Sequence, residues 1–166
     1  VEAEGNFRIL MFSPSTFLAC NKLTKIALES RGPKYLRLEG KPLPEIYNEP
    51  GIVFDADSGF SEIVRGRDVA IVGTGYMTHK ALDIARRIGH HRVGVIDLFN
   101  LSDPKEKALA DAISRYKKIV TLEEAFVGRG GLDSLISSVL NKHGIANLSR
   151  KSYGFGERYD FSFGTR

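Results

Sequence analysis

The chain has 166 residues, of which 42% are hydrophobic and 27% charged, a composition typical of a globular protein with one or two small domains. Its single cysteine, Cys20, excludes an intramolecular disulfide and a cysteine-rich zinc site, and it favours a reducing, cytoplasmic location. No apolar run approaches the roughly 20 residues that cross a bilayer, and the first four residues lack the pattern of a secretory signal. Because the 24 basic residues are spread among 20 acidic ones, we expect neither a nucleic-acid partner nor a membrane partner.

The N-terminal part predicts a partial α/β unit. Phe7 to Phe12 form an apolar run typical of a strand, and turn and N-cap residues follow it. Apolar residues then recur at helical spacing from Ala19 to Ala27, before Gly32 and Pro33 end the helix. Lys34 to Leu38 predict a second strand.

A long stretch without periodicity follows, from Glu39 to Arg67, with three prolines and four glycines. Connections inside compact domains are usually much shorter, so this stretch predicts a domain boundary. We divide the chain into residues 1–48, a linker at 49–66, and a second domain at 67–166.

The second domain repeats one theme, a strand followed by an amphipathic helix. The predicted strands are 68–72, 92–98 and 118–122, and the predicted helices follow at about 77–88, 102–116 and 132–144. Such alternation indicates right-handed βαβ units, so we predict an α/β fold with a mostly parallel sheet and helices on both faces.

The turn Gly73-Thr74-Gly75 is the most ligand-like feature, because it joins the end of a strand to the start of a helix. We predict a weak anion site at Thr74, Gly75 and Thr78. A dinucleotide fingerprint requires a third glycine where Thr78 stands, although Asp97 follows at the distance of a ribose-binding carboxylate. Asp97 is therefore expected to be a buried residue at the sheet edge, and a nucleotide-binding module remains an alternative.

No residues in the chain form a recognisable catalytic set or a metal-ligand spacing. Glu123 and Glu124 are adjacent on an extended segment, so one of them is expected to face solvent, while the glycines at 128, 130 and 131 let the chain turn into a helix. The four histidines have no metal-binding spacing and are expected on the surface. We predict no catalytic residue and no metal site.

Five segments, taken in order, resemble the transketolase family of thiamine diphosphate enzymes. They are GPKYLRLEGKPLPEIY, RGRDVAIVGTGYMTHKALDIA, GVIDLFNLSDPKEK, IVTLEEAFVGRGGL and YGFGERYDFSFG, at 32–47, 65–85, 94–107, 119–132 and 153–164. The resemblance covers the tail of the pyrimidine-binding domain and the complete C-terminal domain. The ending from Gly154 to Gly164 is similar to that of the transketolase and deoxyxylulose-phosphate synthase branches, with Gly156 where proline is usual.

The resemblance implies that the catalytic apparatus lies outside this chain. In the family, a diphosphate-binding domain holds thiamine diphosphate through Mg²⁺ and a Gly-Asp-Gly motif, and a glutamate of the pyrimidine-binding domain activates the cofactor. The chain contains neither, so we expect no cofactor in the chain itself. The arginine that holds the substrate phosphate in sugar-phosphate members is matched by Gly40, with Lys41 beside it, and Lys41 is the one candidate substrate-binding residue.

We expect the chain to be the C-terminal part of an enzyme that transfers two-carbon ketol units between sugar phosphates. Its role would be packing and subunit contacts, together with the remaining domains or a companion subunit, in a homodimer. A first residue other than methionine fits a piece of a longer protein. The alternatives are a freestanding nucleotide-binding or regulatory module and a C-terminal domain of the 2-oxoacid dehydrogenase beta type.

Overall fold

The computed structural model describes residues 9–156, which form seven strands and four helices within that range. In chain order they are β1 (Leu10–Phe12), α1 (Phe17–Glu29), β2 (Lys34–Leu36), β3 (Phe60–Val64), β4 (Val69–Gly73), α2 (Tyr76–Ile88), β5 (Val93–Leu98), α3 (Glu106–Ser114), β6 (Lys118–Phe126), α4 (Leu132–Lys142) and β7 (Ser149–Phe155). No helix within this range has the length and apolar character that a bilayer crossing requires.

The N-terminal unit is a two-stranded parallel sheet with one helix. β1 pairs with β2 in parallel, and α1 connects them after the Thr16 hydroxyl accepts the N–H of Ala19 as its N-cap. Phe12 and Leu23 pack against Phe99, which follows β5. A backbone hydrogen bond also joins β1 to the segment after β5, because the Leu101 N–H donates to the Met11 carbonyl oxygen at 2.8 Å. The unit is therefore bound to the second sheet by both packing and backbone hydrogen bonds.

The main sheet has five strands in the order β3-β5-β4-β6-β7. β3 is antiparallel to β5, and the other three pairings are parallel. One face carries α2 over Ile71 and Val95, and the opposite face carries α3 and α4 over Val72 and Ile119. The predicted α/β fold with a mostly parallel sheet and helices on both faces is confirmed.

The structure adds two strands that the sequence analysis does not predict. β3 lies inside the stretch from Glu39 to Arg67, so the expectation that this whole stretch lacks regular structure is wrong at Phe60–Val64. β3 forms because its backbone pairs with β5, while the Phe60 and Ile63 side chains are buried. β7 is mostly exposed and takes its extended form from pairing with β6. Residues 7–8 of the predicted first strand lie outside the described residues. The same is true of residues 157–164 of the predicted C-terminal motif.

Gly94 of β5 leaves the space that a tyrosine needs. A Cβ at Gly94 would overlap the hydroxyl of Tyr116, and the ring carbon Cζ would be 2.7 Å away. The Tyr116 hydroxyl donates to Glu62 Oε1 at 2.6 Å and accepts the Gly66 N–H at 3.2 Å. Burial, together with the hydrogen bond to Glu62, raises the pKa of Tyr116 to about 12. Tyr116 thus links β3 to the end of α3 only because position 94 has no side chain.

We predict that Gly94→Ala lowers the free energy of unfolding by about 2 kcal/mol, because the added methyl displaces the Tyr116 ring. The measurement is urea unfolding followed by circular dichroism. Gly40→Ala is the matched control, since a Cβ at Gly40 meets no atom within 4 Å. Equal stabilities of the two variants would contradict this account of the packing.

Candidate functional site

The turn between β4 and α2 requires both of its glycines. A Cβ at Gly73 would lie 2.8 Å from the backbone nitrogen of Thr78, so the first turn of α2 can approach the strand only at a glycine. Gly75 has a φ of +54°, in the left-handed region that side chains disfavour. This geometry brings the start of α2 against the carboxyl ends of β4 and β5.

The three residues predicted to bind an anion lie together at this turn, but the chain itself supplies partners there. The Thr78 hydroxyl is buried and donates to Asp97 Oδ1 at 2.8 Å. The Thr74 hydroxyl oxygen is buried and has no hydrogen-bond partner within the described residues. The Tyr76 N–H, the second backbone donor after Thr74, lies 3.4 Å from the Glu39 carboxylate. An anion site at Thr74, Gly75 and Thr78 stays a prediction, and an anion there would compete with Glu39.

Asp97, at the end of β5, is the centre of the polar cluster at this edge. Its side chain has no exposed surface, and its carboxylate accepts three hydroxyl hydrogen bonds. Ser15 and Tyr47 donate to Oδ2, each at 2.5 Å, and Thr78 donates to Oδ1. The donors come from the loop before α1, from the segment between the two sheets, and from α2. Asp97 is therefore buried at the sheet edge, as the sequence analysis expects, but it also joins three separate parts of the chain.

Burial dominates the electrostatics of this cluster. Removal of the Asp97 carboxyl from water raises its pKa, although the three hydroxyl hydrogen bonds act in the opposite direction. Burial also raises the pKa of Tyr47, and the adjacent Asp97 carboxylate raises it further. Tyr47 therefore stays protonated and acts as a hydrogen-bond donor.

His79 lies next to this cluster, not on an exposed surface as expected for the histidines. Its Nε2 is 2.7 Å from the Ser15 carbonyl oxygen, and its side chain is half-buried. Since a carbonyl oxygen only accepts, Nε2 carries the proton in this contact. The apolar spacing of α2 correctly places His79 away from the core. It cannot reveal that the loop before α1, which contains Ser15, covers this side of the helix.

The geometry around Asp97 does not suit a ribose. A ribose-binding carboxylate must present an acceptor to the ligand, whereas both oxygens of Asp97 are buried and bonded to hydroxyls of the chain. The alternative of a nucleotide module that uses Asp97 therefore has no support in this structure.

The second glycine-rich connection, between β6 and α4, is held by buried carboxylates. Glu123 accepts the N–H groups of Leu132 at 2.8 Å and of Asp133 at 3.2 Å, and so it occupies the N-terminus of α4. Burial raises the pKa of Glu123, while these two backbone hydrogen bonds lower it. A Cβ at Gly131 would overlap the Glu123 carboxylate, which explains the glycine.

Glu124 contacts the N-terminal unit, so the expectation that one of the two glutamates faces solvent is wrong. The Glu124 side chain is 11% exposed, and its Oε2 lies 3.9 Å from Nη2 of Arg37. The same Nη2 donates to the Glu124 carbonyl oxygen at 3.3 Å. Arg37 and Glu124 thus form a second polar link between the two sheets.

Lys41, the candidate substrate-binding residue, lines a cavity of about 320 Å³ in the N-terminal part. The cavity lies between the loop before α1, the start of α1 and the segment after β2. Its other walls include Pro14, Phe17, Cys20 and Leu38. Phe17 is 77% exposed and Leu38 59% exposed, so the mouth of the cavity is open and mostly apolar, and the two charged residues Glu39 and Lys41 both line the cavity. Binding of a substrate phosphate by Lys41 stays a prediction.

The described residues do not supply a site for thiamine diphosphate or its metal ion. No three His, Cys, Asp or Glu side chains of residues 9–156 come together in a way that could hold a metal. The N-terminus of α2 faces Glu39, and that of α4 faces Glu123, so both helix ends meet a carboxylate of the chain. The donor sets in this part of the chain do not fit the cofactor.

The comparisons with known proteins all indicate the same family. The family model "Transketolase, C-terminal domain" matches residues 60–157. One subunit of the apulose-4-phosphate transketolase of Actinobacillus succinogenes is 30% identical over 156 residues, which are 92% of this chain and 48% of that protein. An uncharacterized transketolase family protein of Sinorhizobium fredii is 24% identical over 131 residues, which are 77% of this chain and 37% of that protein. The chain thus spans half or less of the length of these two curated relatives.

Solved structures of transketolases share the fold. One, described as a split gene transketolase in an inactive beta4 tetramer, has a TM-score of 0.78 and 29% identity, covering 90% of this chain and 49% of its own. The transketolase of Campylobacter jejuni has a TM-score of 0.59 at 17% identity, covering 90% of this chain and 22% of its own, and shows the fold alone.

We predict that Asp97→Ala lowers the free energy of unfolding by about 3 kcal/mol, because three buried hydroxyls lose their acceptor. The pH dependence of Asp97→Asn is a sharper test. Burial raises the folded-state pKa of Asp97 above the 3.8 of a free aspartate, so the stability that comes from this pKa difference is fully present below about pH 3.8 and is lost as the pH rises through the folded-state pKa.

The difference in unfolding free energy between the wild type and Asp97→Asn should therefore favour the wild type most in acid and shrink toward neutral pH. Urea unfolding at several pH values between about 3.5 and 7.5 measures it. Asp111→Asn, at an exposed position of α3, is the control for removal of a carboxylate. A difference that grows in favour of the wild type with rising pH would contradict the dominance of burial.

Proposed function

Because the chain belongs to the transketolase C-terminal domain family, we propose that it is the C-terminal part of a transketolase-type enzyme. That enzyme would transfer two-carbon ketol units between sugar phosphates, using thiamine diphosphate and Mg²⁺ held outside this chain. The apulose-4-phosphate transketolase relative and the split gene structure, each about twice as long as this chain, support a companion polypeptide that carries the remaining domains. Both curated relatives carry transketolase names, which favours this branch over the dehydrogenase beta type.

The exposed apolar face of the N-terminal unit is the observation that carries this proposal. Ile9, Met11 and Tyr35 on or beside β1 and β2 are 58%, 39% and 54% exposed. Parallel sheets are normally covered on both faces, and a two-stranded one with a single helix is incomplete. Residues 9–38 therefore have the features of a piece of a larger α/β domain, and we propose that the rest of that domain covers this face.

In this proposal, residues 1–48 are the tail of a pyrimidine-binding domain, 49–66 the connection and 67–166 the C-terminal domain. The pairing of β3 with β5 and the family match from residue 60 favour an earlier start of the C-terminal domain, at Phe60. The role of the chain is packing and subunit contacts in a homodimeric, cytoplasmic enzyme of carbohydrate metabolism. The hydrogen bonds of Asp97 and Arg37 would hold its two parts in the relation that the companion requires.

The chain alone should bind no thiamine diphosphate and should have no transketolase activity, because the groups that hold the cofactor lie outside it. Isothermal titration calorimetry with the cofactor and Mg²⁺ measures the binding. The positive partner is a polypeptide that carries the diphosphate-binding domain and the rest of the pyrimidine-binding domain: when it is mixed with the chain, saturable binding and ketol transfer should appear together. Micromolar binding by the chain alone, or no association with that polypeptide, would contradict the proposal.

In the reconstituted enzyme, Lys41→Ala should raise the KM for a phosphorylated sugar about tenfold, because one charge-assisted contact to the phosphate is lost. The kcat should change little. Lys25→Ala, at an exposed position of α1, is the matched control. An unchanged KM would remove Lys41 from the substrate site without affecting the assignment of the domain.

A further inference from the structure

An apolar groove lies beside α2 on one face of the main sheet. It has a volume of about 600 Å³, and Val120 and Leu122 of β6 form part of its floor. Ile84 and Ile88 of α2 line one side, and Tyr153 of β7 lines the other. Ile88 is 54% exposed and Tyr153 is 55% exposed. Within residues 9–156, the groove therefore leaves apolar side chains of the helix and of the sheet open.

The groove is present because α2 is the only helix on this face of the main sheet within the described residues. The opposite face carries both α3 and α4. On the α2 face, Ile46 and Ile52 of the connecting segment pack into one apolar cluster with Ile63 of β3, so they cover the β3 side of α2. No described element covers β6 and β7 on the other side of α2. Because parallel sheets are normally covered on both faces, this strip lacks a cover.

The dimensions of the open strip fit one α-helix. Neighbouring strands are about 4.8 Å apart, so a helix over β6 and β7 would lie about 10 Å from α2. That is the usual distance between the axes of packed helices. The neighbouring strand β4 has five residues and is about 16 Å long, which corresponds to about 11 helical residues. The strip therefore has room for about three turns of a helix.

The rim of the groove is basic. Four exposed basic residues surround it, namely Lys80, Arg92, Lys118 and Lys151. The first two line the groove itself. The other two lie two positions before Val120 and Tyr153, so the alternation of side chains along a strand places them on the groove face of the sheet.

Asp68 is the acidic side chain that lines this groove, and it does not neutralise the rim. Its carboxylate already accepts Arg92 Nε at 3.2 Å and Lys117 Nζ at 3.0 Å. The charges of Lys80, Lys118 and Lys151 are not offset by it. Charge complementarity therefore favours an occupant that carries acidic side chains next to an apolar stripe.

We propose that the groove binds an amphipathic helix of a partner polypeptide, with acidic residues on both sides of its apolar stripe. The apolar stripe packs on Ile84, Ile88 and Val120, and the acidic residues lie at Arg92 and Lys118. This is the mode in which a helix places its apolar face in a groove of another protein. The inference uses neither the cofactor nor the companion polypeptide, so it stands apart from the proposed function.

Residues 157–166 do not have the sequence of such a helix. They contain two acidic and two basic residues, so they offer no excess of negative charge to the rim. Their aromatic residues, at positions 159, 161 and 163, recur at every second position, which is the spacing of a strand and not of a helix. The occupant is therefore assigned to a partner, and this segment is one of the alternatives that the experiment distinguishes.

Binding of designed peptides to the chain of 166 residues tests the class of partner. The acidic peptide has about 14 residues, with leucines at helical spacing and glutamates beside them, and its matched control carries lysine at every glutamate position. In fluorescence anisotropy, the acidic peptide should bind saturably and about tenfold more tightly than the basic one. Its binding should weaken as the salt concentration rises from about 0.05 to about 0.5 M. Equal binding of the two peptides, or no binding of the acidic one, would overturn the proposal.

Substitutions test whether the acidic peptide occupies this groove. Lys118→Glu should raise its dissociation constant about tenfold, because a rim charge is reversed. Arg150→Glu is the matched control at the same end of the sheet. Arg150 is also exposed, but it pairs in register with Ile119, whose side chain packs under α3 and α4, so it lies on the opposite face. Its substitution should leave the constant near the wild-type value.

Ile88→Asp tests the apolar part of the contact and should also raise the dissociation constant about tenfold. Since Ile88 is more than half exposed, its replacement leaves the core intact. An unchanged constant in this variant would place the peptide elsewhere and overturn the site. Equal weakening by Lys118→Glu and Arg150→Glu would indicate general attraction to a positively charged protein, with the same consequence.

A peptide with the sequence of residues 157–166 is the last arm of the experiment. It should bind more weakly than the acidic peptide. Tighter binding would favour this segment of the chain as the occupant and would overturn the assignment to a partner. None of these results affects the test of the companion polypeptide, which is measured on the mixed polypeptides.

Discussion

The buried carboxylate of Asp97 is the interaction on which the arrangement of this chain depends. A carboxylate without exposed surface is unfavourable unless hydrogen-bond donors surround it. The donors are the hydroxyls of Ser15, Tyr47 and Thr78. They come from three segments of the chain, and the first and last of these residues are 63 positions apart. Each segment must be in place for the others to be satisfied. The carboxylate thus makes the positions of the first sheet, the connecting segment and α2 interdependent.

Apolar packing around Asp97 strengthens this constraint. Phe54 stacks on Phe99 with ring centres 4.4 Å apart, and the rings of Tyr47 and Phe54 form a T-shaped contact with centres 5.0 Å apart. The segment between the two sheets, which has little regular structure, is held by these rings and by the Tyr47 hydroxyl. The segment with three prolines is therefore packed in place by these contacts. It resembles a flexible linker only in that its sequence has no periodicity.

The sequence predicts the parts of the fold that have a local signal. All four helices follow apolar spacing, and β4, β5 and the first five residues of β6 are apolar runs, although β6 continues past the predicted end at 122 to Phe126. β7 has the polar sequence SRKSYGF and is extended because β6 offers it a backbone partner, which no local pattern reveals. In the site, the position of Asp97 follows from the end of β5, but its partners Ser15 and Tyr47 are 82 and 50 residues away. Contacts at such separations depend on the tertiary fold and leave no spacing in the sequence.

Two exposed features of the described residues differ in kind. On the N-terminal unit, Ile9, Met11 and Tyr35 form an open face of a parallel sheet, which is normally completed by further strands and helices of the same domain. On β7, the exposed feature is the edge of a strand that carries Arg150 and Lys151 in its first half and Tyr153 and Phe155 in its second half. Because the Asp97 hydrogen bonds tie the loop before α1 and the connecting segment to the end of β5, they also hold the exposed face of the N-terminal unit in place relative to the main sheet.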